Sequence, residues 1–214
     1  MKVGWAKYFN NNQYFEKDMI INVDDSYENC ASKLLAHVTD VCTTTANHID
    51  NATLAQVVHM IDHAGCIYLL GVGSSANVAQ DMQQKLLRIS KRAFFLPDSQ
   101  INLLSTITIA REDVVLAFSF SGTTNVITIS AQAAKKQGAF IVAITGNPDS
   151  PVGRTANVCL STHAIERKTR IGAVSSHYSQ QYICDLLFLC LVSKHYDEAE
   201  KMTMHATNLL SRIL

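Results

Sequence analysis

Apolar residues recur along this chain in two rhythms, and the change from one to the other comes near Cys66. Upstream, Tyr27, Cys30, Leu34, Val38, Val41 and Thr45 follow one another at three- and four-residue spacing, the period of a single helix face. Asp24, Asp25 and Ser26 stand before them as an acidic, cap-forming start. The spacing predicts a long helix running to about Ala46. Leu54, Val57, Val58 and Ile61 predict a second over about 52–64, ended by Gly65. From Cys66 onward, short apolar runs alternate with helical stretches. Strands are expected near 66–70, 93–96, 114–119, 140–145 and 157–161, and helices near 75–90, 99–109, 123–137, 174–194 and 197–213. Ser150-Pro151 marks a short helical turn with proline in its first position. Alternation of this kind builds a parallel sheet covered on both faces, with right-handed crossovers. The expected fold class is therefore α/β, a flavodoxin-like three-layer sandwich with a five-stranded parallel sheet and N-terminal helices. In the strand order 2-1-3-4-5 the ligand crevice lies between the first and third strands.

Two similar turns follow those two strands. One is Gly71-Val72-Gly73-Ser74-Ser75-Ala76-Asn77-Val78, the other Ser119-Phe120-Ser121-Gly122-Thr123-Thr124-Asn125-Val126. Each opens a helical stretch. Glycine lets the backbone approach a ligand, hydroxyls donate hydrogen bonds, and a helix start offers free N–H groups and a positive dipole end. The combination suits a phosphate or another small anion. Neither turn contains Lys or Arg, so neutral donors and two helix N-termini would hold the charge. A plainer reading makes both turns ordinary tight connections. A third reading follows from Gly71, Gly73 and Ala76, which satisfy the G-x-G-x-x-[GA] dinucleotide fingerprint with Asp98 downstream. Against it, Ser74 and Ser75 place hydroxyls where that fingerprint needs only close backbone approach, and the second turn has no role in it.

The composition narrows the class. Hydrophobic residues make up 48% of the 214 residues and charged ones 17%, the profile of a well-buried globular protein. The formal net charge is zero, which argues against a free-standing nucleic-acid binder. The six cysteines, with no C-x-x-C pair, read as reduced core residues in a cytoplasmic protein. No signal pattern opens the chain, and the longest apolar run, Leu186 to Val192, is too short to span a bilayer. His59 and His63 have the spacing of a zinc pair, but Met60 stands where H-E-x-x-H needs glutamate, so neither a metal nor a cofactor is expected. Ser121 is not at a nucleophile elbow, since residues 119 and 123 are not glycine. Residues 1–23, with Trp5, Tyr8, Phe9, Tyr14 and Phe15, are expected as an extension ahead of one domain over 24–214. The segment Tyr182 to Val192 is apolar nearly all round, which predicts burial on more than one side, with a partner subunit as one of its neighbours.

The paired serine turns, with Lys85-Leu86-Leu87-Arg88-Ile89, Ala143-Ile144-Thr145, Ser150-Pro151 and Asp185-Leu186-Leu187, resemble the sugar-isomerase (SIS) fold. The closer resemblance is to the phosphosugar-binding domain of RpiR/MurR transcriptional regulators, over about residues 30–194. That resemblance implies that hydroxyls at Ser75, Ser119, Ser121 and Thr124 hold the phosphate of a phosphosugar. Gly73, Ser74 and the backbone of Gly122 and Thr123 would stand beside them. It also implies a homo-oligomer, dimer or tetramer, and an effector-sensing role. Regulators of the family carry a helix-turn-helix domain ahead of this one. Only about two dozen residues precede the first long helix here, so DNA contact is expected only through a domain this chain does not carry. SIS-type isomerases such as 6-phospho-3-hexuloisomerase place a glutamate at the start of the late helix, a position that falls here on His177. The resemblance thus leaves His177 as a ligand contact or, in an aldose–ketose isomerase, as a catalytic base with Glu166 nearby. Sugar selectivity is expected from side chains around Asp98, Gln100, His163, Glu166 and His177. Arg167, Lys168 and Arg170 form a basic cluster in the same loop as Glu166.

Overall fold

The structure, a computed structural model, describes residues 21, 22, 24–163 and 172–213. Most of the expected extension therefore lies outside the described residues, as do Glu166 and the cluster Arg167, Lys168 and Arg170. Ser26 begins α1 (Tyr27–Asn47) by accepting the Asn29 N–H, and Asp50 begins α2 (Asn51–His63) by accepting that of Thr53. There follow β1 (Ile67–Gly71), α3 (Ser74–Arg88), β2 (Ala93–Phe95), α4 (Ser99–Ser105), β3 (Val114–Phe118), α5 (Asn125–Lys136) and β4 (Phe140–Thr145). The short α6 (Pro151–Thr155), β5 (Val158–Ser161), α7 (Val174–Lys194) and α8 (Tyr196–Leu210) complete the described chain. All strand pairings are parallel, in the order β2-β1-β3-β4-β5. The expected architecture and strand order are those observed.

The strands read as continuous apolar runs because both sheet faces are covered, and alternate residues serve opposite cores. Ile67, Leu69, Leu116, Phe118 and Ile144 pack under α2, α3 and α7 with Val57, Ile61, Met82, Leu86, Ile183 and Leu187. Tyr68, Leu70, Val115, Ala117, Ile141 and Ala143 face the other way, toward Ile127, Ala131 and Ala134 of α5. All six cysteines are free. Among the described residues no helix is long and apolar enough to cross a membrane.

Two local features differ from the expectation. The helix expected over 99–109 stops at Ser105 and tightens to a 3-10 turn, Thr106–Thr108. There Thr106 and Thr108 turn their hydroxyls back onto the Leu103 and Ser105 carbonyls, at 2.7 and 2.9 Å. The apolar stripe of α1 is buried only at its C-terminal end, at Val41 and Thr45, while Tyr27 is 97% exposed. Along α7, the helices α1, α2 and α3 pack against its buried sides, and Leu189 is exposed.

Candidate functional site

β1 and β3 are neighbours at the centre of the sheet, and Gly71 lies level with Phe118 in their register. The two turns therefore leave the same edge of the sheet side by side, at the point where strand order reverses. In the first, Gly73 caps α3 with φ +62° and no side-chain cap bond, so Ser74 and Ser75 form the open first turn of that helix. Gly71 is required by the turn itself, since a Cβ there would stand 2.6 Å from the Ser75 carbonyl oxygen. In the second, Gly122 has φ +66°, and Thr124 caps α5, again without a side-chain cap bond. The helix thus starts at Asn125 instead of residue 123. Ser119 is buried, with its Oγ 3.4 Å from Thr124 Oγ1. Ser121 Oγ accepts the Thr123 N–H at 3.3 Å and the Thr123 hydroxyl at 3.0 Å, and the Gly122 N–H donates to the Ser119 carbonyl. Uncapped N-termini leave backbone donors without intrahelical partners, and both are flanked by hydroxyls.

The start of α7 comes over the first turn. His177 Nδ1 lies 3.3 Å from Ser74 Oγ, and the Ser75 hydroxyl donates to Gln180 Oε1 at 2.8 Å. A cavity of about 390 Å³ opens beside them, lined by Ser74 and Asn77 of α3, Ala173, Val174, His177 and Tyr178 at the head of α7, and Leu34 of α1. No carboxylate, lysine or arginine lines it among the described residues. Sequence reasoning placed His177 here and missed Gln180. The available signal was polarity out of place: Ser175, Ser176, Ser179 and Gln180 cluster in the first two turns of a helix whose later turns are largely apolar, and all four are buried.

Other candidates are engaged elsewhere. The Asp98 carboxylate accepts the Gln100 and Ile101 N–H groups at 2.8 and 2.9 Å as the cap of α4, which leaves the dinucleotide reading without its acidic residue. Gln100 sits exposed in that same helix start. His163, just past β5, stacks on His48 of the segment after α1, ring centroids 3.6 Å apart, and burial and the neighbouring imidazole push its pKa down. It does not line the cavity. His59 and His63 are both exposed, and His63 Nδ1 is spent on the His59 carbonyl. Among the described residues Asp81, Cys184 and Asp185 form a group of metal-ligand type. The Lys85 ammonium bonds both of its carboxylates, and burial pushes the Cys184 thiol up. The cationic place in that group is thus filled by the chain.

A parallel sandwich with a pair of hydroxyl-rich strand-to-helix turns at its switch point defines a doubly wound α/β domain with a crevice for a small polar ligand. The chain belongs to the SIS domain family: the family's sequence model matches residues 60–190, more than half the chain and both turns included. Solved structures agree on the fold. The NanR protein of Vibrio vulnificus, in complex with ManNAc-6P, superposes with a TM-score of 0.81 at 24% identity, covering 86% of this chain and 69% of that one. The sugar isomerase domain of an RpiR transcription factor from Sphaerobacter thermophilus gives 0.75 at 17% identity, covering 83% and 98%. A phosphoheptose isomerase from Francisella tularensis gives 0.65 at 18% identity, covering 83% and 100%.

Proposed function

We propose that this chain binds a phosphorylated sugar across its two turns and serves as the effector-sensing module of an RpiR-type regulator of carbohydrate metabolism. One observation carries the reading: two uncapped helix N-termini, each dressed with hydroxyls, open side by side at the switch point. Gly73, Ser74, Ser75, Ser119, Ser121, Gly122, Thr123 and Thr124 are the residues assigned to the phosphoryl group, and His177 to the sugar. Support comes from NanR, a similar fold solved with ManNAc-6P. Operator contact in this reading belongs to a helix-turn-helix domain and not to the SIS domain. The homodimer or tetramer that goes with it has apolar surface available at exposed Ile101, Leu104 and Ile107.

The test is thermal denaturation of the chain against hexose, pentose and amino-sugar phosphates, with the unphosphorylated sugars as controls. A phosphosugar at a hundred times its dissociation constant should stabilise the fold by about 2.7 kcal/mol. The free sugar should leave it unchanged, and Ser121→Ala should abolish most of the shift. No shift across the panel, or an equal shift with the free sugar, would overturn the reading.

A second reading, a sugar-phosphate isomerase, is favoured by one contact, the His177 imidazole beside Ser74 at the cavity wall. Isomerisation needs a base over the C1–C2 bond and a group that moves the hydroxyl proton. Among the described residues that line the cavity, His177 is the imidazole placed to act as that base. For a sensor, a bound aldose phosphate kept in deuterium oxide should show no exchange at C2. Exchange that disappears in His177→Ala would establish the enzyme instead.

A further inference from the structure

Ser75 has one hydroxyl proton, and it is committed to Gln180. The bond is 2.8 Å long and joins the first turn of α3 to α7, 105 residues away in sequence. Gln180 is 1% exposed, and its amide nitrogen reaches the Ile144 carbonyl at 3.5 Å, a long contact at the end of β4. A phosphoryl dianion offers acceptors only, so the Ser75 hydroxyl can serve it only by withdrawing its proton from Gln180. The side-chain carbonyl of Gln180 then loses its partner in a place water does not reach, and such a loss counts against whatever caused it. Three residues earlier on α7, His177 meets Ser74. Both serines of the first turn are therefore held by one helix, whose flanks carry α1, α2 and α3.

We propose that Gln180 competes with the ligand's phosphoryl group for the Ser75 hydroxyl, so that filling the site breaks one of the two bonds tying α7 to the first turn. The inference rests on the phosphosugar reading and adds the regulation of that site. Gln180 is a positioning residue in this account, and α7 is the element that registers occupancy. The exchange is a trade of one hydrogen bond for another, with no covalent step.

The experiment is calorimetric titration of the full chain with inorganic phosphate and with each phosphosugar of the panel above. The variants are Gln180→Met, Gln180→Glu, Ser75→Ala and Ser75→Ala/Gln180→Met, each checked for cooperative thermal unfolding. Gln180→Met keeps the volume and removes the competing acceptor, so it should bind about fivefold more tightly than the parent. Gln180→Glu places a stronger acceptor and a like charge at the same spot. Its affinity should fall by about tenfold or more at neutral pH and recover as the introduced carboxyl is protonated in acid. Ser75→Ala should weaken binding, and on that background Gln180→Met should change nothing. Hydrogen exchange along the first two turns of α7 should rise on saturation of the parent and stay flat in Gln180→Met. A Gln180→Met affinity equal to or below the parent's, or one that still differs on the Ser75→Ala background, overturns the inference while leaving the phosphosugar reading intact. If the parent binds none of the probes, the phosphosugar reading falls and takes the inference with it.

Discussion

Gly122→Ala should destabilise the fold by about 3–5 kcal/mol and abolish phosphosugar binding. Two costs combine. The backbone at Gly122 has φ +66°, where an L side chain costs about 1–2 kcal/mol. The added Cβ would also stand 1.8 Å from Ser150 Oγ, 2.4 Å from Ser150 Cβ and 3.0 Å from Thr145 Oγ1. Neither neighbour is free to move. Ser150 is buried and caps α6 by accepting the Gly153 N–H, while the Val152 N–H donates to the Gly122 carbonyl. Thr145 Oγ1 donates to the Phe120 carbonyl and accepts the Asn147 N–H. Overpacking of a site this well tied costs about 1–3 kcal/mol, with part of a helix cap lost besides. Gly73→Ala is the contrasting case: a Cβ there meets nothing within 4 Å, so the cost should stay near the backbone penalty alone, about 1–3 kcal/mol for a φ of +62° with ψ −130°, a conformation favoured by glycine. Adding Ser150→Gly should rescue part of the loss in Gly122→Ala. Denaturant unfolding of the four proteins decides the matter, and a Gly122→Ala variant no less stable than Gly73→Ala would show that the second turn is not clamped by α6.

The frame of this site was legible because its signals are local. A strand buried on both faces must be apolar throughout, and a hydroxyl-rich glycine turn between such a strand and a helix shows in eight residues. Strand order followed from the alternation, and the pairing of the two turns followed from strand order. What the sequence hid depends on residues far apart in the chain. Nothing near Ser75 announces that Gln180 holds its proton. The Asp81–Lys85 pair looks like an ordinary surface i, i+4 contact until Asp185 and Gln181 of α7 come to meet it. The breadth of the apolar face on α7 was visible, but its cause was not: an all-round apolar helix calls for several neighbours, and the pattern does not say whether they come from the same chain. Periodicity also overstated α1. Helical spacing fixes a face without showing how much of it is covered: in that helix full burial is reached only at Val41 and Thr45. Asp98 shows the reverse error, because a carboxylate at a fingerprint spacing and a carboxylate at a helix cap are the same letter.

Asp62→Asn should cost about 2 kcal/mol at neutral pH, and the cost should disappear in acid. The Asp62 side chain is 9% exposed and accepts from Lys91 Nζ and from His195 Nε2, both at 2.9 Å. It thereby ties α2 to the segment before β2 and to the junction of α7 and α8. Burial alone would raise its pKa, but the bonds from His195 and Lys91 outweigh burial and hold it at about 2, against an ordinary value of 3.8. A displacement of that size, at about 1.4 kcal/mol for each pH unit, sets the expected cost. The sign follows from linkage. The folded pKa lies below the unfolded one, so the stabilisation is fully present above pH about 4 and is lost as pH falls toward 2. Urea unfolding of parent and Asp62→Asn should therefore show a constant gap from pH 8 down to about 4, then convergence. Replacing Lys91 with Met should remove part of the same gap and, combined with Asp62→Asn, should cost less than the two changes separately. A gap that persists unchanged at pH 2.5 would mean that the amide fails for reasons of packing and not of charge. That outcome would leave the junction of α7 and α8 held to α2 by shape alone.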